Sequence, residues 1–281
     1  MTKQQFIQKL SEISLDKYLS NFESVLRNTI RIYLSKQDES EISIGTSKFG
    51  GKPDLPVGAE WPTEDNSKPL AFIAQINLRE VVSLDSGELL PKSGILYFFY
   101  ASEQDAWGFD PKDKNKFRVI YYDGVLDGVQ RQEFPKLLPK HSQFIPNKVR
   151  LASEISFPSL LSNLLNFLSE EEQDKFLKIF EQEKGGINKI LGYADEIQGE
   201  MELECELVAN GLYCGDQTGY EDPKRKDLER NKSNWRLLLQ VDSNDEAGMM
   251  WGDAGRIYFW IKELDLKEKR FENAWFIFQC F

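Results

Sequence analysis

A single histidine, His141, stands in 281 residues, and that scarcity excludes a good deal of chemistry. Metal sites built from several histidines are ruled out, and one residue is left for any Ser-His or Cys-His arrangement. His141 lies in KLLPKHSQFIPNK with Pro135, Pro139 and Pro146, a stretch that reads as an exposed connection, so a solvated loop histidine is expected. Cysteine is sparse too. Cys205, Cys214 and Cys280 are an odd number in a chain too large to need disulfides, which predicts reduced buried thiols, with a Cys205–Cys214 bridge as the alternative. No segment approaches the roughly 18 to 20 apolar residues of a membrane span, and MTKQQFIQKLSEISLDKYLSN has no apolar core of signal-peptide length. A cytoplasmic protein without a membrane partner is expected. Basic clusters are also missing: the richest, Pro223 to Lys232, includes Asp227 and Glu229. With 46 acidic against 35 basic side chains the net charge is -11, which repels phosphate backbones and argues against nucleic acid as a partner.

Apolar residues make up 41% of the chain, enough for a substantial core. Phe6, Ile7, Leu10 and Ile13 are spaced for a short amphipathic helix, and a second helical piece is expected near Leu15 to Leu26. TIRIYLSK alternates Ile30, Ile32 and Leu34 with Arg31, Tyr33 and Ser35, as a half-buried strand does. KFGGKPDLPVGAEWP mixes glycines that permit φ > 0 with prolines that fix φ, and reads as a stiff irregular loop. PLAFIAQINL, GILYFFYA and FRVIYYDG then read as antiparallel strands, because their connections lack the helical pattern of βαβ crossovers. The middle of the chain reads as helical. Leu160, Leu161, Leu164, Leu165 and Leu168 suit one helix; SEEEQDKFLKIFEQEKGG opens with Ser169 and Glu172 as a capping box and offers Phe176, Leu177, Ile179 and Phe180 as its buried face. GEMELECELVANG fits a helix ended by Asn210-Gly211 better than a strand.

Four short stretches recur in the same order. SKFGGKPD (47–54) lines up with NKILGYAD (188–195), FIAQIN (72–77) with LLLQVD (237–242), GILYFFY (94–100) with GRIYFWI (255–261), and FRVIYY (117–122) with WFIFQC (275–280). The expectation is an α+β fold, internally duplicated. Two related halves, each with a mainly antiparallel sheet, would pack as one body with helices between them. The divisions would be an N-terminal helical segment 1–29, a first half 30–134, a helical connection 135–184 and a second half 185–281.

SKFGGKPDLPVGAEWP, AFIAQINL and LLLQVDSNDEAGMMWGDAGRIYFWI together resemble the YwqG-like family of bacterial proteins, a domain of unknown function, over nearly the whole chain from about Ile30. The resemblance implies a duplicated α+β fold. It implies no activity, cofactor or catalytic residue.

Residues two apart on a strand share a face, so Gln75 with Asn77 and Gln240 with Asp242 form matching polar pairs. They either line a cleft between the halves or satisfy loop backbone at the strand ends. Trp61, Trp107 and Trp251 would join an aromatic binding surface if one sheet face were open. The acidic loop of QVDSNDEAGMMWGDAGRIYFWI holds Asp242, Asn244, Asp245, Glu246 and Asp253, hard oxygen ligands of the sort calcium or magnesium takes. Its spacing departs from an EF-hand, with Ala247 in the glycine position and Asp253 in place of the bidentate Glu, and Met249, Met250 and Trp251 look like an apolar anchor. An acidic strand connection is the competing reading. Ser47 and Ser243 lack a nucleophile elbow, KFGGKPD lacks the Lys-Ser/Thr of a phosphate loop, and Asp54 with Asp195 is an unspecific carboxylate pair.

Three functional expectations follow. A non-enzymatic binding protein would meet a basic protein partner with its acidic surface, a toxin-neutralising role included. An enzyme or sensor would hold a small molecule between the halves. A structural protein would bind calcium or magnesium; no other cofactor is expected.

Overall fold

The computed structural model describes residues 1–65, 67–159, 163–177 and 187–281. Twelve strands organise it: β1 (Arg27–Lys36), β2 (Lys48–Phe49), β3 (Asp54–Pro56), β4 (Ala71–Asn77), β5 (Ile95–Tyr100), β6 (Phe117–Tyr122), β7 (Val129–Arg131), β8 (Asn147–Ser156), β9 (Asn188–Ile190), β10 (Trp235–Asp242), β11 (Arg256–Lys262) and β12 (Trp275–Gln279). Ten of them form one sheet in the order β12-β11-β10-β9-β1-β8-β2-β4-β5-β6, and every pairing is antiparallel. The remaining two, β3 and β7, pair with each other. The class is α+β.

Side-chain alternation on β5 explains how this sheet is buried. Leu96, Phe98 and Tyr100 enter the main core, while Ile95, Tyr97 and Phe99 point the other way, into a second cluster with Leu55 of β3, Leu70, Phe72 and Val129 of β7. The small sheet thus covers the outer face of β4 and β5, so both strands are apolar almost without interruption. On the inner face the sheet curls until its two ends pack together. Phe98 meets the Phe259 ring of β11 edge-on at 5.1 Å, and Tyr100 stacks on Phe276 of β12 at 4.3 Å. Each such ring removes apolar surface worth roughly 2 kcal/mol from water.

Two expectations need correction. The segment 135–184, expected to be a helical connection, contains the ten-residue strand β8, paired with β1 from Arg27↔Ser156 to Lys36↔Asn147. Val149, Leu151 and Ile155 alternate with Lys148, Arg150 and Glu154 as a strand requires, but the flanking prolines and the incomplete burial of this face mask the period. Helices therefore do not lie between the two sides of the sheet; β1 and β8 join them. The helices Lys3–Glu12, Leu19–Val25 and Glu170–Leu177 instead close a separate cluster around Phe6, Leu10, Phe22 and Phe176. The capping box is present, with Ser169 N–H donating to Glu172 at 2.9 Å. Leu160, Leu161, Ile179, Phe180 and the Gly185-Gly186 terminator lie outside the described residues. GEMELECELVANG forms the helix Glu202–Ala209 as expected. All three cysteines are free thiols, Cys205 and Cys214 buried and Cys280 partly so. No helix among the described residues is long and apolar enough to cross a membrane.

Candidate ligand site

Two polar nodes with the same wiring sit on opposite sides of the sheet. On β4, the Gln75 Oε1 accepts from Asp54 N–H and its Nε2 donates to Asp54 Oδ2 and to Thr46 O, each at 2.8 Å. On β10, the Gln240 Oε1 accepts from Asp195 N–H at 2.8 Å, and its Nε2 donates to Asp195 Oδ2 at 2.8 Å and Ile187 O at 2.6 Å. A tyrosine completes each: Tyr97 Oη donates to Asp54 O at 2.6 Å, and Tyr258 Oη to Asp195 O at 2.8 Å. Each aspartate also has a lysine partner, Lys48 at 3.9 Å from Asp54 and Lys189 paired with Asp195. Both loops bend through a left-handed glycine, Gly51 at φ +66° and Gly192 at φ +79°.

Gln75, Asn77, Gln240 and Asp242 thus do not line a shared cleft. Gln75 and Gln240 are fully buried, each bonded to the backbone of its own loop. Asn77 donates from Nδ2 to Gly45 O and accepts from Arg79 N–H, and Asp242 accepts from Arg256 Nε at 2.9 Å. Four strands separate β10 from β4 in the sheet, so Asp54 and Asp195 belong to different nodes. A buried amide with its donors and acceptors filled specifies loop geometry; that is the use the fold makes of these residues.

The nodes differ in access. Asp54 is wholly enclosed, because Arg131 lies against it (Nε to Oδ1, 2.9 Å) while also holding Ile42 O, and Glu39 ties down Lys48. Over Asp195 there is no such cover among the described residues: 40% of its side chain is exposed, and it faces a cavity of about 410 Å³. Arg31, Lys189, Glu154 and Glu196 supply the charged lining, Phe157 and Phe176 an aromatic wall. Burial alone would raise Asp195, but Lys189, Gln240 and Arg256 outweigh it and hold the carboxyl below the usual range. Glu196 behaves in the opposite way. Burial, reinforced by Glu202, Glu200 and Asp195, pushes it up to about 7. Among the described residues its carboxylate makes no hydrogen bond or ion pair, so beside a locked Asp195–Lys189 pair stands one free group that exchanges its proton near neutrality. Sequence reading passed over Glu196 and Arg31. The only signal was the run of acids from Asp195 to Glu204 in ADEIQGEMELE.

The remaining candidates are dispersed. Trp251 is fully buried between Tyr100 and Phe144, and Trp61 donates from Nε1 to Leu70 O while packing on Phe99 and Phe134. Trp107 is 42% exposed and stacks on Phe278. In the acidic loop, Asp242 is taken by Arg256 and Asn244 caps its own turn by accepting from Ala247 N–H at 2.8 Å. Asp245, Glu246 and Asp253 point to solvent, while Met249 and Trp251 anchor the loop in the core. No group of three or more His, Cys, Asp or Glu among the described residues is placed to hold a metal ion. His141 is exposed, its Nε2 3.3 Å from Ser102 O.

Residues 47–280 match the family described as Domain of unknown function (DUF1963). No curated protein matches the chain.

Proposed function

The chain belongs to the DUF1963 family, and from the geometry of its open cavity we propose that it is a non-enzymatic binding protein whose ligand joins a cationic group to an apolar part. The observation that carries this reading is the uncommitted Glu196 carboxylate in a cavity walled by Phe157 and Phe176. An ammonium or guanidinium group entering there would find a carboxyl group that spends nothing on internal bonds and that the incoming cation would hold ionised, and the rings would take the apolar part. Asp195 and Lys189 are already bonded to each other, which leaves Glu196 as the single free acid-base group of the cavity among the described residues: enough for recognition, and short of the acid-base pair most hydrolytic or isomerising chemistry needs. The net charge of -11 extends the same preference to a basic protein partner in the cytoplasm, whose lysine or arginine side chain could occupy the cavity.

The two halves are in this reading a duplication of the YwqG-like kind. Support comes from the shared Gln–Asp–Tyr–Lys wiring at positions that align in sequence and from the mirrored strand order on either side of β1 and β8. One copy, sealed by Arg131 and Glu39, stabilises the fold; the other keeps its aspartate open to a ligand.

Calorimetric titration with butylammonium, butylguanidinium and butyrate tests the binding reading on wild type and Glu196→Gln. The cations should bind wild type, a ligand at 100 times its dissociation constant adding about 2.7 kcal/mol of stability, and Glu196→Gln should bind them at least tenfold more weakly. Butyrate binding as well as the cations, or cations binding the variant undiminished, overturns the assignment.

A further inference from the structure

The ten-stranded sheet has two edges, and the chain treats them differently. Along β12 the segment 106–109 runs beside the outer edge. Phe278 N–H donates to Trp107 O at 3.1 Å, and the Trp275 indole donates to Gly108 O at 2.9 Å. Gly108, at φ +83°, sits so close that a Cβ there would stand 1.9 Å from Phe276 O. A covered edge cannot template another chain.

β6 forms the opposite edge and, among the described residues, pairs only with β5. Leu78 N–H donates to Gly94 O across β4 and β5, so Ile95 turns its main-chain groups toward Tyr122 of β6. Antiparallel alternation then points those of Phe117, Val119 and Tyr121 outward. A groove of about 440 Å³ follows this edge, bounded by Lys114, Arg118, Glu272 and Ala274.

The groove is cationic in an acidic protein. Lys114 Nζ donates to Glu272 O at 2.7 Å and Ala274 O at 2.9 Å, while Arg118 Nη1 donates to Lys114 O and Phe117 O at 3.0 and 2.8 Å. Neither has a carboxylate within ion-pair distance among the described residues, whereas their neighbours Lys116 and Lys269 are paired with Asp105 and Asp123. Burial, with Arg118 adding to it, lowers Lys114 to about 8. An incoming carboxylate would relieve that penalty.

We propose that β6 is a docking edge for an extended acidic peptide of another protein, which adds to the sheet as a further strand. Its main chain pairs with Phe117, Val119 and Tyr121, and its carboxylates meet Lys114 and Arg118. A second copy of this chain is the poorer occupant, because pairing β6 with itself about a two-fold axis brings the same cations together. This site is separate from the Glu196 cavity and does not depend on it.

The test is amide hydrogen exchange read by NMR on the full chain, with acetyl-Val-Glu-Val-Asp-Val-Glu-Val-amide as the probe. At saturation, exchange at Val119 and Tyr121 should slow at least tenfold. Arg118→Glu should weaken binding at least tenfold, with Lys114→Met as a second variant should the first fail to fold. The same peptide with lysine in place of its acids, or N-methylated on alternate residues, should not bind. The proposal is overturned if the lysine peptide binds as well, if both variants bind normally, or if sodium phosphate alone gives the same protection. Protection of β6 in a peptide-free sample that sediments as a dimer also overturns it, in favour of a second copy.

Discussion

Replacing Glu196 with glutamine should make the protein more stable above neutral pH and leave it unchanged in mild acid. The folded protein holds the Glu196 proton up to about 7, whereas the ordinary value is 4.5. At 1.36 kcal/mol per pH unit that gap is worth about 3.4 kcal/mol if the group were sealed from water. Glu196 is only half-buried and solvent screens it, so a reduced figure of about 1–2 kcal/mol is the working value. The sign follows from proton binding. Between pH 4.5 and 7 the folded state keeps a proton that the unfolded chain has released, so this group's contribution to stability is fully present below 4.5, falls as pH rises to 7, and then levels off. Glutamine mimics the protonated form at every pH. Urea unfolding of both proteins from pH 4.5 to 8 should give curves that coincide in acid and separate by about 1–2 kcal/mol above pH 7, or a few degrees in Tm. Curves that stay parallel across the range, or a variant weaker than wild type at pH 8, would refute the placement of Glu196. A gain in stability together with a loss of cation binding is the pattern expected of a group kept for recognition.

The two nodes should respond unequally to loss of a cation paired with each aspartate. Arg131→Met strands the enclosed Asp54 beside Lys48 and should cost about 3 kcal/mol or more, while Lys189→Met, whose partner Asp195 is 40% exposed, should cost about 1 kcal/mol; equal losses in urea unfolding would contradict the sealed and open assignment. Gly108→Ala should destabilise by about 2 kcal/mol or more, from its left-handed φ and the collision with Phe276 O, and should speed amide exchange at Phe278 before the rest of β12.

The apolar strands were readable because burial on both faces leaves little room for polar residues, as in FIAQIN and GRIYFWI. β8 was not, since its outer positions carry Lys148, Arg150 and Glu154 and its inner ones are only partly covered. The matched polar pairs, Gln75 with Asn77 and Gln240 with Asp242, were visible as positions but not as chemistry. Whether a strand-end amide faces a ligand or its own loop depends on where Asp54 and Asp195 bring their N–H groups, a tertiary fact that spacing does not carry. Glu196 escaped notice for a related reason. Among 46 acidic residues, nothing in the sequence sets Glu196 apart, because its behaviour comes from burial and from neighbours that the fold assembles.

The position of β1 bears on what constitutes the folding unit. β1 is the strand that pairs with both β8 and β9, and it ends at Lys36, ahead of the family-matched residues 47–280. A polypeptide trimmed to those residues would divide the sheet into β9 to β12 on one side and β8, β2, β4, β5 and β6 on the other. Each piece would carry a freshly exposed interior edge, the kind of surface on which chains aggregate. The matched residues thus leave out a strand on which both sides of the sheet are built, and the residues before them act as its keystone.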